Sequence, residues 1–169
     1  MDNNIVLTTV QEKLKAQFGE NFISAEMISD YPTFIVKKES IADVVKFLYD
    51  DSEMAFQYLT TLAALHYPDN KAHEFGVMYQ LHNLPKNWRI RLKIFFSKND
   101  LEVPSITTVF SAANWMERQE FDFFGIIFKG HPNLKRILKM DDMDYHPMRK
   151  EYALEDATRE DKDDKMFGR

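Results

Sequence analysis

Cysteine is absent from the 169 residues. That excludes disulfides and cysteine-ligated iron–sulfur clusters on this chain, and it does not fix the redox compartment. Glycine is scarce. It stands at positions 19, 76, 125, 130 and 168, and no pair has the spacing of a P-loop or a dinucleotide loop, so no glycine-rich phosphate cradle is expected. No apolar run approaches the roughly 20 residues that span a bilayer. The opening Met1-Asp2-Asn3-Asn4 has no basic stretch followed by an apolar one, so no secretory signal is expected. Positive charge is in deficit: the net charge of -5 argues against nucleic acid as the main partner, because phosphate neutralisation needs a basic surface. What remains is the composition of a soluble intracellular globular domain, one that a chain of this length can bury around a single core. Fourteen Phe and seven Tyr are an excess that can fill that core or anchor an interface.

Hydrophobic periodicity gives the elements. Thr9-Val10-Gln11-Glu12 has the capping-box pattern, and Leu7, Val10, Leu14 and Phe18 recur at helical spacing up to Gly19, which predicts a helix over 9–18. Phe22–Ser29 and Thr33–Lys37 are short β-prone runs around the turn signal Asp30-Tyr31-Pro32. Ser40 reads as an N-cap. Ile41, Val44, Val45 and Leu48 then form one helical stripe that runs to about Tyr49. Phe56–Leu65 is apolar on both faces, as a strand covered on both sides would be. Phe75–Leu81 and Trp88–Phe96 alternate with a period of two and are joined by a Pro85-containing turn. The row Arg89, Arg91, Lys93 on the last strand is either a solvated face or a docking face for an acidic partner. Pro104-Ser105 predicts the start of a third helix with the stripe Ile106, Val109, Phe110, Ala113 and Met116.

Extended further, that stripe reaches Glu117, Glu120, Phe121 and Phe124. Either the helix stops near Trp115, or two carboxylates enter an apolar face and meet basic groups there, because an unpaired buried carboxylate is costly. Arg118, Arg136 and Arg149 are the candidate counter-charges, with a partner subunit as the alternative. Beyond Gly125 the chain is too irregular for a long element. Residues 129–150 hold six Lys or Arg and three Asp, and residues 151–169 hold seven acids and four bases with few large apolar groups. Such a tail is expected to be disordered alone or to lie on another protein. The reading is therefore an α+β, two-layer domain with helices on a mixed sheet. Its order is α-β-β-α-β-β-β-α over 1–128, followed by an extended docking segment and tail over 129–169.

His131 and His146, with Asp141, Asp142 and Asp144 nearby, look like ligands, but their spacing matches no zinc pattern and no Cys completes one. Each His-Pro pair is read instead as a turn with a locally bonded imidazole. His66, His73 and His82 are read as ordinary strand residues. Glu117, Glu120 and Asp122 lack a companion nucleophile or oxyanion hole, so no catalytic residue is assigned. An independent hydrolase or metal enzyme built on His131, His146 and the acids is the competing class, and a free-standing adaptor is a third.

The run Ala113-Asn114-Trp115-Met116-Glu117-Arg118-Gln119-Glu120-Phe121-Asp122-Phe123-Phe124-Gly125-Ile126 continues through Gly130-His131-Pro132-Asn133-Leu134-Lys135-Arg136-Ile137-Leu138, Asp141-Asp142 and His146-Pro147-Met148-Arg149-Lys150-Glu151-Tyr152. It closely resembles the signature of the C-subunit (30 kDa-type) family of proton-pumping NADH–quinone oxidoreductase, respiratory complex I. Pro104-Ser105-Ile106-Thr107-Thr108-Val109-Phe110 looks like that family's lead-in. The sequence departs from the family at Gln119 (usually Glu), Met143 (usually Trp) and Tyr145 (usually Gly).

The resemblance implies a structural, assembly-supporting subunit of the peripheral arm, an enzyme only as part of the complex. No cofactor is expected on this chain; FMN and iron–sulfur clusters belong to partner subunits. The implied partners are the quinone-site D-type subunit and the cluster-bearing B- and I-type subunits, on the cytoplasmic face of the cell membrane without a span. Glu117, Arg118, Asp122, Gly125, His131, Pro132, Arg136, Asp141, Asp142, His146, Pro147, Arg149 and Lys150 are the docking and signature residues, and Glu117, Arg118, Asp122, Arg136, Arg149 and Lys150 are expected to form ion pairs within the chain and across subunits. The corresponding subunit of a membrane-bound hydrogenase or a ferredoxin-linked variant is the alternative.

Overall fold

The alternation over Trp88–Phe96 decides the architecture. In the computed structural model, which describes residues 3–152, Ile90, Leu92, Ile94 and Phe96 are buried, while Arg89, Arg91, Lys93 and Phe95 point to the other face. This strand, β5, lies at the centre of a five-stranded mixed sheet of order β1-β2-β5-β4-β3. The strands are β1 (Phe22–Ile28), β2 (Tyr31–Val36), β3 (Tyr58–His66), β4 (Phe75–Asn83) and β5 itself. All neighbours are antiparallel except β2 and β5, which run parallel over Thr33–Ile35 and Arg91–Lys93. Pro32 precedes that parallel ladder, where its missing N–H costs no bond to β5.

One face of the sheet carries the core. Val6, Val10 and Leu14 of helix α1 (Asn3–Phe18) and Ile41, Val44, Val45 and Leu48 of α2 (Ile41–Asp50) are buried in the same cluster as Phe34, Tyr79 and Leu92. The α2 stripe matches the expectation residue for residue. Helix α1 does not start at a Thr9 capping box. It is already helical at Asn3, and Thr8 Oγ1 donates back to Asn4 O at 3.0 Å within the helix. Ser40 occupies the cap position of α2, but its hydroxyl donates to Lys37 O rather than accepting from the helix. The first hairpin turns one residue earlier than expected, at Ser29 and Asp30, both with positive φ.

The largest departure concerns the third helix. It opens at Ala113, not at Ser105, and runs to Phe124 as α3. Pro104 ends a short strand, β6 (Glu102–Pro104), which pairs in parallel with β7 (Ile127–Lys129) outside the main sheet. Ile106, Val109 and Phe110 form a turn held by Val109 N–H and Phe110 N–H on Ile106 O. Apolar residues at i, i+3 and i+4 suit such a buried turn as well as a helix. The helix does persist past Trp115, so the carboxylates Glu117 and Glu120 are indeed on its inner side. Residues 130–152 contain no helix or strand. The tail beyond Tyr152, expected to be disordered alone or to lie on a partner, is outside the described residues.

Candidate functional site: a clasp between the last helix and the C-terminal arm

A helix ends with carbonyls that have no partner in the next turn. At the end of α3 these groups are taken up by the arm. Gly125 closes the helix in the left-handed region at φ 75, and its N–H bonds Phe121 O at 2.9 Å. His146 Nδ1 lies 3.1 Å from Asp122 O, Met148 N–H reaches Phe123 O at 3.4 Å, and Arg149 Nε donates to Phe124 O at 2.8 Å. The stretch His146-Pro147-Met148-Arg149 is therefore a C-cap supplied from 22 or more residues downstream, with cationic Arg149 at the negative end of the helix dipole. A Cβ on Gly125 would sit 2.5 Å from His146 Nε2 and 2.8 Å from Arg149 Nη2, so side chains fill the space that only glycine leaves.

The helix side chains hold the arm in return. Asp122 is 1% exposed, and its Oδ2 accepts the N–H groups of Ile137, Leu138 and Lys139 at 3.0, 2.8 and 3.0 Å. Burial opposes its charge, but those three N–H groups and the Lys139 ammonium outweigh burial and hold its pKa below the ordinary value. Arg118 Nε donates to Lys135 O at 3.0 Å, with its guanidinium 4.6 Å from the Trp115 ring centre. Arg136 donates to Met140 O and Asp141 O. His131 accepts from Asn133 N–H at Nδ1, which leaves Nε2–H to donate to Asn114 O at 3.0 Å. Pro132 follows it at the surface, and Pro147 is half-buried behind His146. Burial, together with the charges of Arg149, Lys139 and Arg136, lowers the His146 pKa against its bond to Asp122 O, so the ring serves as a neutral donor.

The expectation of intra-chain ion pairs is corrected. Among the described residues, Glu117, Arg118, Asp122, Arg136 and Lys150 form none, and Arg149 has one loose contact with Glu151 at 3.8 Å. Arg118, Asp122, Arg136 and Arg149 are answered by main-chain groups instead, and the Lys150 ammonium lies over the Tyr67 ring. Charge–dipole bonds to a fixed backbone order a loop without the entropy of pairing two long side chains. The buried carboxylates follow the same rule. Glu117 takes Ser105 Oγ–H at 2.6 Å and Ile106 N–H at 2.8 Å. Glu120 takes the edge-strand N–H of Ala64 at 2.9 Å and Gln119 Nε2–H at 3.3 Å, a bond a glutamate at 119 would not donate. Burial is the main cause that raises both carboxyls to about 7, against these bonds. Tyr79, fully buried near Glu117, is raised well above the phenol range by burial and by that carboxylate, and its hydroxyl has no hydrogen-bond partner among the described residues.

The would-be metal set does not converge. Asp141 and Asp142 are exposed, while His131 and His146 are each bonded to α3 carbonyls. The residues that do meet are not marked by any sequence pattern: His66, Glu74 and Glu151 bring ligand-type atoms within 4.8 Å of one another. His66 is buried, stacked on Phe75, and accepts Lys150 N–H at Nδ1 at 2.9 Å, so Nε2 carries the proton and faces Glu74 Oε1 at 3.2 Å. A cation at Nε2 would have to displace that proton. The arrangement is a fastening for the end of the arm, completed by Glu151 on Lys98 at 2.8 Å and by Arg149 over the Phe75 ring. No signal in the linear sequence links His66 to Lys150, 84 residues away.

Fold and clasp together define a class: a two-layer α+β domain whose last helix and following arm are organised to hold each other's backbone. The chain belongs to the family described as respiratory-chain NADH dehydrogenase, 30 Kd subunit, whose model matches residues 34–158. It is 39% identical over 148 residues to the C subunit of NADH-quinone oxidoreductase from Citrifermentans bemidjiense, covering 88% of this chain and 90% of that protein. It is 38% identical over 150 residues to the C/D subunit of the same enzyme from Acinetobacter baumannii, covering 85% of this chain and only 25% of that protein. A solved trypsin-resistant fragment of Nqo5, residues 1-134, superimposes with a TM-score of 0.63 at 26% identity over 79% of this chain and 100% of the fragment. The membrane-bound sulfane sulfur reductase, an archaeal respiratory membrane complex, includes a chain of the same fold, with a TM-score of 0.73 over 91% of this chain and 87% of that one at 19% identity.

Proposed function

We propose that this chain is a structural and assembly subunit of the peripheral arm of NADH–quinone oxidoreductase, supporting electron transfer from NADH to quinone coupled to proton translocation. Catalysis belongs to the assembled complex, with FMN and iron–sulfur clusters on partner subunits and none bound here. The observation that carries the reading is the presentation of the arm. Its backbone is fastened to α3, yet Leu138 and Met140 are 61% and 65% exposed, and Tyr145 and Met148 are also largely exposed. A pinned segment that turns large apolar side chains to solvent fits a docking surface, because ordering costs have been met before the partner arrives. Residues 1–128 are the scaffold on this reading, and 129–169 are the docking segment and tail.

The nearest partner is a D-type, quinone-site subunit, with B- and I-type cluster subunits beyond it. A relative named as a C/D subunit, four times longer than the matched stretch, supports that adjacency. No helix among the described residues is long and apolar enough to cross a membrane. Peripheral attachment at the cytoplasmic face follows from the complex rather than from this chain. The 19% identity to the archaeal complex chain supports fold alone, so the hydrogenase-type alternative is not favoured.

The test is mild-detergent purification of the tagged full chain from membranes, with identification of co-purifying subunits and an assay of NADH-driven quinone reduction. Met140→Glu and Leu138→Glu should abolish co-purification while leaving the isolated chain folded. Arg149→Ala and Arg136→Ala should lower recovery more than they lower the thermal midpoint. Unchanged assembly in all four variants would sink the proposal.

A further inference from the structure

Helices α1 and α2 cover one side of the sheet; on the other side, among the described residues, Arg89, Arg91 and Lys93 are at least partly exposed, and the end of the arm reaches only its edge, where the Lys150 ammonium lies 5.8 Å from the Tyr67 ring centre. The central cations of this open side are Arg89, Arg91 and Lys93 of β5. None of their cross-strand neighbours is a carboxylate: they are His82, Gln80 and Met78 on β4, with Thr33 beside Arg91 and Ile35 beside Lys93 on β2. A solvated sheet face ordinarily sets opposite charges across the strands. Here Arg89 and Lys93 have no ion pair among the described residues. Arg91 is laid flat, its guanidinium 4.1 Å from the Tyr31 ring centre and its Nε 3.5 Å from Gln80 Oε1. Only Glu26, on the edge strand, brings a strand carboxylate to this face. In a chain of net charge -5, that row is a local excess of positive charge, with Asp30 near Arg89 at its end.

An apolar groove of 660 Å³ adjoins the row at one end of the face. Ile35 and Phe95 supply strand side chains to it, exposed Ile23 and Tyr67 flank them, and Lys37 adds a cationic group; Glu39 and Asp100 also line it, Asp100 paired with Lys38. Lys37, like Lys93, has no ion pair among the described residues. Groove and row together offer apolar burial at one end and unpaired positive charge along β5.

We infer that the open sheet face is a second docking surface, separate from the arm, and that it receives an acidic segment of another subunit. That segment seats an apolar side chain in the Ile35–Phe95 groove and lays carboxylates along Lys93 and Arg89. The inference rests on the assembly reading above and adds the chemistry of a partner. Complementary charge of this kind sets register and partner choice.

A photo-crosslinking residue in place of Met78, beside Lys93, tests it in the full chain expressed in cells and purified in mild detergent. The expected product is a cross-link to a carboxylate-rich peptide of a different subunit. Lys93→Glu and Arg89→Glu should each lower its yield about tenfold, because like charges now face each other, and Lys93→Arg should keep it. The thermal midpoint of each variant, measured alongside, separates lost docking from lost folding. A cross-link to residues 153–169 of the same chain, to a second copy or to a segment without acids overturns the inference. So does the absence of any cross-link, or a yield that charge reversal leaves unchanged. Co-purification of the chain with oxidoreductase subunits but without the cross-link sinks this inference alone; failure to co-purify sinks the assembly reading as well.

Discussion

Helices α2 and α3 are of similar length and serve opposite ends. Helix α2 buries Ile41, Val44, Val45 and Leu48, and its inner face is wholly apolar. Helix α3 buries Ala113, Glu117, Glu120, Asp122 and Phe124, so three of its five buried residues are acids. Each apolar group on α2 contributes roughly 1.5–3 kcal/mol by leaving water. The acids of α3 contribute by another route: they hold the 105–106 turn, the β3 edge and the arm at Ile137–Lys139. One helix stabilises the domain. The other uses buried carboxyl groups to position loops; the donors outweigh desolvation at Asp122 but not at Glu117 and Glu120, whose carboxyls burial raises to about 7.

The comparison can be broken by exchange of effects. Leu48→Ala should lower the global unfolding free energy by roughly 2–5 kcal/mol through lost burial and a cavity. Hydrogen exchange at Ile137–Lys139 should rise no more than elsewhere. Asp122→Ala should behave in reverse, with a loss of about 2–3 kcal/mol for a charged acceptor of several bonds. It should appear first as lost protection of those three amides and as faster proteolysis of the arm. Equal loss of protection throughout the chain would erase the distinction between the two helices.

The pH dependence comes next in size. Glu117 and Glu120 titrate near 7 in the folded chain, above the roughly 4.3 of an unfolded glutamate. The folded state therefore holds protons more tightly. Their contribution is fully present below about 4.3 and is lost as pH rises through about 7, at most roughly 3–4 kcal/mol for each carboxyl. Asp122, whose pKa is depressed, acts with the opposite sign, its contribution falling away as acid protonates it below the ordinary carboxylate range. Urea midpoints from pH 4.5 to 8 should decline in the native chain and flatten in Glu117→Gln and Glu120→Gln. A flat native profile would mean that both carboxylates are better solvated than their burial indicates. The smallest change is Gly125→Ala, about 1–3 kcal/mol from the positive φ and the crowding by His146 and Arg149. Denaturation of the isolated chain measures it, and a neutral result would show that the clasp yields.

Much of this is legible in the residues, and the limits are physical. The β4–β5 hairpin and α2 read closely because period-two and period-3.6 patterns each report a single buried face. The turn at Ile106–Phe110 reads wrongly as helix, since apolar spacing does not say whether N–H groups bond three or four residues back within one turn or go on repeating. Strands β6 and β7, which the sequence reading misses, are three residues each, too short to carry a period. The fingerprint from Ala113 to Tyr152 marks the site without any geometry. It does not reveal that charge meets backbone instead of opposite charge.

The sequence by itself determined the family, the helical stripe of α2, the alternation of the sheet and the exclusion of cysteine-held clusters, because these depend on residue type and local period. Only the tertiary structure decided that His146 and Arg149 cap α3, that Asp122 gathers three amides of the arm, and that Lys150 closes on His66. Those bonds join groups 15 to 84 residues apart, and the choice between an ion pair and a backbone N–H is made by distance alone.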